Sequence, residues 1–212
     1  MDHTQRTIQT YDQIAERYHV IATPEHRAWL EDSMREFFAR LPGPAVLVAG
    51  CGEGRDSRYL RDLGACVVSF DLSEGMLAVA RSSDPDGAYL RVDLRDAQSI
   101  GLNFDGIWAC ACLYHLTKQE FHVCLQTFFQ MLRPRGVLFL NLKFGTGERF
   151  IDVPRDGYPG GEAAKELVGS RFYAFYTRDE LSAYFSDFTV EKERRDLLKE
   201  DDGAMEFWLR KE

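Results

Sequence analysis

The stretch Val46-Leu47-Val48-Ala49-Gly50-Cys51-Gly52-Glu53-Gly54 constrains this chain more than any other. A short apolar run reads as a buried strand. Glycines at alternate positions after it make a tight turn, with bare backbone facing whatever lies above. The segment Arg55-Asp56-Ser57-Arg58-Tyr59-Leu60 then opens an amphipathic helix, with Asp56 and Ser57 of the types favoured near helix starts. Strand, glycine turn and helix together begin a nucleotide-binding βαβ unit, so the chain is expected to be an α/β protein.

The details of the turn choose among ligands. A phosphate loop ends in Gly-Lys-Ser/Thr, and this turn ends Gly54-Arg55-Asp56. A dinucleotide fingerprint needs a further glycine where Arg55 stands. Acids at Glu53 and Asp56 repel a pyrophosphate. What remains is a nucleoside-like ligand with a positive charge and no phosphate, a description that S-adenosylmethionine fits.

Further along, Val67-Val68-Ser69-Phe70-Asp71-Leu72-Ser73 reads as a second strand closed by an acid, and Leu90-Arg91-Val92-Asp93-Leu94 as a third. Phe104 to Ala111 reads as a fourth strand, and Met131-Leu132-Arg133-Pro134-Arg135-Gly136-Val137-Leu138 as the turn into a fifth, which covers 136–142. These five segments, in this order and spacing, resemble the class I S-adenosylmethionine-dependent methyltransferases, and the likeness runs over most of the chain. It implies a Rossmann-like three-layer sandwich around a seven-stranded, mostly parallel sheet with an antiparallel last strand. It also implies methyl transfer from S-adenosylmethionine to O, N or S of a small-molecule acceptor. One position departs from the family pattern: Val48 stands where an acid usually helps to hold the methionine end of the cofactor.

On this resemblance Gly50, Cys51 and Gly52 carry the cofactor on backbone, and Asp71 accepts from both ribose hydroxyls. Asp71 follows Gly54 by 17 residues, near the ~20 expected of a ribose acid. Ser73, not Asp71, is better placed to cap the next helix. Leu72 belongs to the cofactor set, Met76 lines the adenine side or simply fills core, Asp93 accepts from the adenine amino group or is a plain surface-turn residue, and Leu94 packs on the ring. Cys110 completes the set, together with Tyr18 from the N-terminal region, although Tyr11 and Tyr18 also fit a plain core-facing stripe. Cys110 and Cys112 alternate and so are expected on one face, as buried thiols and not as metal ligands. His115 lies between the fourth strand and a helix opened by the capping box Thr117-Lys118-Gln119-Glu120. There it either takes a proton from the acceptor or is a structural histidine bonded to backbone.

The 212 residues are expected to form one methyltransferase domain, with a helical cap over 1–42 and a lid loop over 144–171. The cap comprises helices over 4–20 and 25–40. Lys143, Arg149, Arg155 and Arg171 are either contacts for an anionic acceptor group or solvated charges. A second capping box at Thr177-Arg178-Asp179-Glu180 starts a late helix, and Phe188-Thr189-Val190 and Ala204 to Leu209 read as two closing strands. A net charge of −8 argues against a broad nucleic-acid surface. The five cysteines lack CxxC spacing, which fits reduced thiols in a cytoplasmic protein. No apolar run reaches membrane-spanning length. A monomer or homodimer is expected. The alternatives carried alongside are an RNA or protein methyltransferase, an NAD-binding oxidoreductase and a non-catalytic S-adenosylmethionine-binding protein.

Overall fold

A computed structural model describes residues 2–21, 24–153, 169–196 and 203–212. The chain begins with helix α1 (His3–Ile14), capped by Asp2, whose side chain accepts from the Gln5 amide. A 3-10 helix follows over Ala15–Ile21, then helix α2 over Pro24–Ala39. The single helix expected over 4–20 is therefore two pieces. Strand β1 (Ala45–Ala49), helix α3 (Arg55–Asp62), strand β2 (Cys66–Asp71), helix α4 (Glu74–Ser83) and strand β3 (Ala88–Arg91) come next. Strand β4 (Phe104–Ala109), helix α5 (Lys118–Met131) and strand β5 (Leu132–Phe144) complete the parallel core.

After β5 come strands β6 (Glu148–Val153) and β7 (Gly169–Tyr176), helix α6 (Arg178–Tyr184), and strands β8 (Thr189–Asp196) and β9 (Ala204–Arg210), and 3-10 helices cover Leu94–Ile100 and Leu113–His115. The order β3-β2-β1-β4-β5 is parallel throughout. On β5, β9 pairs antiparallel, and β8 pairs antiparallel with β9. These seven strands are the expected sheet, with β9 as its antiparallel member.

Beside them stands an addition. The stretch expected as a lid loop over 144–171 contains β6 and the first residues of β7, which pair antiparallel. Beyond the end of β4, β7 pairs parallel with β5 at Lys143 and Phe144. Glycines and prolines suggested an irregular segment, but the strands lie on either side of most of them. Residues 154–168, Arg155 among them, lie outside the described residues.

Burial separates the two faces of the sheet. Leu30, Met34 and Phe37 of α2 and Leu60 of α3 pack against Val46, Val48, Trp108, Phe139 and Trp208. Phe121, Leu125 and Phe128 of α5 and Leu181 of α6 pack against Leu47, Ala49, Ile107, Leu138 and Leu140. Side chains alternate across a strand, so β1, β4 and β5 each supply both layers. On the first face Trp108 stacks on Phe139, with ring centroids 3.8 Å apart and planes 8° apart. The Thr117–Glu120 capping box is formed in full. At the second expected box, Thr177 accepts from the Glu180 amide, whereas the Glu180 carboxylate goes to Lys118 at 2.6 Å.

The fourth strand ends earlier than expected, and this changes where its cysteines go. It stops at Ala109, and Ala111 takes a positive φ of 58°. Asn141 Oδ1 holds that conformation by accepting from the Ala111 amide at 2.6 Å. The turn sends Cys110 to the α2/α3 side and Cys112 to the α5 side. The two thiols do not share a face.

Candidate active site

One cavity of about 190 Å³ lies across the carboxyl ends of β1, β2 and β4, where open α/β sheets bind ligands. Tyr18, Gly50, Cys51, Gly52, Asp71, Leu72, Met76, Asp93, Leu94, Cys110 and His115 all line it. Every catalytic or cofactor-binding candidate read from the sequence therefore lines this one cavity, whereas none of the described cations weighed for an acceptor group, Lys143, Arg149 and Arg171, is among its lining residues.

The floor is the glycine turn. Gly50 has φ +62°, and a Cβ on it would lie 2.3 Å from Cys112 Cβ, so a side chain there would collide with the β4 loop. Gly52 has φ +53°, and a Cβ on it would meet nothing within 4 Å. It borders open space, and its bare backbone leaves room for a ligand to rest there. Its amide donates to Asp71 Oδ2 at 2.9 Å, and the Ser73 amide donates to Asp71 Oδ1 at 2.9 Å. Burial pushes the Asp71 carboxyl up, against the opposing pull of the Ser73, Gly52 and Leu72 amides. Each carboxylate oxygen retains a second lone pair for a ligand hydroxyl. Ser73 itself caps α4, accepting from the Met76 amide.

At the far end Asp93 has a second task. Its carboxylate accepts from the Arg95 amide and guanidinium, the latter at 2.6 Å, and Arg95 continues to Glu120 at 3.0 Å. That grip fixes the short turn that presents Leu94 to the cavity. Phe70, Leu72, Met76, Val92 and Leu94 make this part apolar. Two carboxylates, apolar walls and an uncovered backbone turn match a nucleoside without phosphate, so the residues present fit S-adenosylmethionine.

His115 is tied at both ring nitrogens. Nδ1 lies 2.6 Å from the Phe172 carbonyl and Nε2 lies 2.8 Å from the Tyr11 hydroxyl. A carbonyl only accepts, so Nδ1 carries the hydrogen and Nε2 accepts from Tyr11. Burial, reinforced by the Arg171 and Lys143 cations, lowers the His115 pKa to about 3, although the bond to Phe172 opposes the shift. The imidazole is neutral at ordinary pH. Arg171, 3% exposed, donates to the Tyr11 oxygen at 3.1 Å. Of the cations weighed for an anionic ligand, Arg171 thus reaches the site through Tyr11, while Arg149 lies over the Phe175 ring at 3.8 Å.

Helix α1 roofs this end. Thr7 Oγ1 accepts from the Phe172 amide at 3.0 Å, and Thr10 Oγ1 accepts from the Ser170 amide at 3.1 Å. On its other side Asp12 accepts from Ser73 Oγ and the Gly75 amide. Burial raises the thiol pKa values of Cys51, Cys110 and Cys112, so they stay protonated and are poor nucleophiles.

Sequence reading missed four lining residues that matter. Tyr11 was legible only as a helix-stripe aromatic, and Asn141 only as a strand end. Arg55 and Asp56 were read for what they exclude. Arg55 Nη2 donates to Asp56 Oδ1 at 2.8 Å, and the Trp108 indole donates to Asp56 Oδ2 at 2.9 Å. None of these partners is close in sequence except Arg55, so no local pattern announces them.

The profile of the methyltransferase domain family matches residues 46–136. A malonyl-[acyl-carrier protein] O-methyltransferase of Enterobacter lignolyticus is 36% identical over 172 residues, covering 79% of this chain. The chain spans 64% of that relative's length. The CcbJ methyltransferase of Streptomyces caelestis superposes with a TM-score of 0.73 at 16% identity, covering 98% of this chain and 99% of its own. The N-methyltransferase NodS of Bradyrhizobium japonicum, solved with S-adenosylhomocysteine, superposes at 0.70 with 14% identity and 99% coverage of both chains.

Proposed function

Since this chain belongs to the class I S-adenosylmethionine-dependent methyltransferases, we propose that it methylates a small molecule whose acceptor atom arrives already nucleophilic, a carboxylate oxygen in the first instance. The observation that carries the reading is the single cavity uniting the glycine turn, Asp71, Asp93 and His115. Gly50, Gly52 and Asp71 hold the sugar side of the cofactor, while Leu72, Met76, Asp93 and Leu94 hold the base. When bound, S-adenosylmethionine supplies an electrophilic methyl carbon on a sulfonium centre.

The chain's own contribution is then mainly position, because orientation lowers the barrier of such a transfer more than any proton movement does. His115 does not reach the acceptor as a free base. Its Nε2 is covered by Tyr11 and its pKa is about 3, far from the operating range of a general base. It instead orients the Tyr11 hydroxyl, and Arg171 donates to the same oxygen. This corner suits an acceptor that needs no deprotonation. A carboxylate meets that condition, and the E. lignolyticus relative is named for O-methylation of a malonyl group. An amine in its free-base form also meets it.

The test uses calorimetry with S-adenosylhomocysteine, then transfer of a labelled methyl group to panels of carboxylates, amines and thiols. Asp71→Ala removes charged hydrogen bonds of ~1.5–3 kcal/mol each, so affinity should fall at least about 100-fold. Wild-type protein that does not bind S-adenosylhomocysteine would overturn the reading.

A further inference from the structure

Val48 leaves β1 without an acid beside the glycine turn, although the cofactor proposed above ends in a zwitterionic amino acid. Val48 is buried and apolar, and its neighbour across the sheet is Trp108. Both side chains lie on the α2/α3 face. The Trp108 indole points its N–H at Asp56 Oδ2, at 2.9 Å. A carboxylate therefore stands over the strand next to Val48, delivered by the first turn of α3 and not by β1.

Asp56 is only 9% exposed, and its other oxygen is held by Arg55 Nε and Nη2 at 2.9 and 2.8 Å. Both residues line the cavity, beside Cys110 and Asn141. Fixed opposite charges side by side, at the end of the cavity remote from Asp93 and Leu94, complement a ligand that carries an ammonium and a carboxylate on one carbon.

We infer that Arg55 and Asp56 grip the amino-acid end of the cofactor, Asp56 taking the ammonium and Arg55 the carboxylate, in place of an acid on β1. The inference rests on the S-adenosylmethionine reading of the site and assigns two residues that the family's usual pattern does not supply. Trp108 acts as a positioning residue, since it fixes the Asp56 carboxylate without lining the cavity.

The experiment compares two ligands by calorimetry. S-adenosylhomocysteine carries the amino-acid end, whereas 5′-methylthioadenosine shares the nucleoside and lacks that end. Asp56→Asn keeps an acceptor for the Trp108 indole, and Arg55→Met changes a side chain that is 32% exposed, so both variants should fold. Each should weaken S-adenosylhomocysteine by about 10–100-fold, the range of one charged hydrogen-bonding contact. Each should change 5′-methylthioadenosine by less than about threefold, within the usual spread of such energies. Equal losses for both ligands would overturn the inference while leaving the cofactor reading intact. So would a selective loss in Glu53→Gln that is absent in Asp56→Asn. Wild-type protein that binds neither ligand would overturn the cofactor reading, and this inference with it.

Discussion

Replacing Glu206 by Gln should flatten the dependence of stability on pH. Glu206 lies on β9 opposite Asn141, is 1% exposed, and faces α2. Its oxygens are 3.4 Å from Ser33 Oγ and 3.9 Å from the Arg194 guanidinium. Burial raises its pKa from 4.5 to about 7, against the pull of Arg194 and Ser33. Between those values the folded protein keeps a proton that the unfolded chain gives up. The stability that goes with it is complete below pH 4.5 and is lost as pH rises to about 7, after which the loss is constant. At about 1.4 kcal/mol per pH unit, the gap sets an upper bound of about 3 kcal/mol. Water reaching the site in the folded state lowers that figure, so about 1–3 kcal/mol is expected.

Gln keeps the shape and cannot ionise. Urea denaturation of both proteins at pH 5 and pH 8 isolates the effect, because every other titrating group is shared. With a slope of about 2 kcal/mol/M, the wild-type midpoint should fall by about 0.5–1.5 M more than the variant's between the two pH values. Midpoints that move in parallel would refute the claim that a neutral carboxyl is buried beneath α2.

Further outcomes follow from the site. Gly50→Ala drives a methyl group into Cys112 and strains a positive φ, which should cost about 2–4 kcal/mol of stability and lower the Tm. Gly52→Ala carries only the backbone strain, about 1–2 kcal/mol, yet should lose S-adenosylhomocysteine affinity because its methyl enters the open space over the turn. Equal melting losses in the two variants would count against this. The depressed His115 pKa of about 3 removes stability as pH falls from about 6.5. It also predicts a methyl-transfer rate with no histidine-like inflection between pH 5.5 and 8. An inflection near 6.5 that His115→Gln abolishes would mean that the imidazole titrates during turnover.

The parts of the site legible in the sequence are those encoded locally. Strand, glycine turn and strand-end acid are each written within a few residues, and the sheet brings them together once the βαβ order is known. Asp56 shows where local reading stops. Its indole partner is 52 positions away, and its residue type alone equally suits a helix start. Cys110 and Cys112 defeat the alternation rule because Ala111 turns left-handed, a choice made by Asn141 from another strand. The aromatic run of β7 shows no alternation because Ser170 through Tyr176 are buried throughout. Without a period of two, a strand embedded in a glycine-rich neighbourhood looks like a loop.

The threonines of α1 carry a consequence for the wall above the site. Thr7 and Thr10 bind the main chain of β7, which also pairs with β5 at Lys143 and Phe144. The N-terminal helix and the β6–β7 ribbon are thus one unit, clipped together by threonine hydroxyls of α1 that accept from the backbone amides of β7. Because Thr4, Thr7, Ile8 and Tyr11 of α1 line the cavity, any displacement of β7 would carry that wall with it while the glycine turn and Asp71 stay in place.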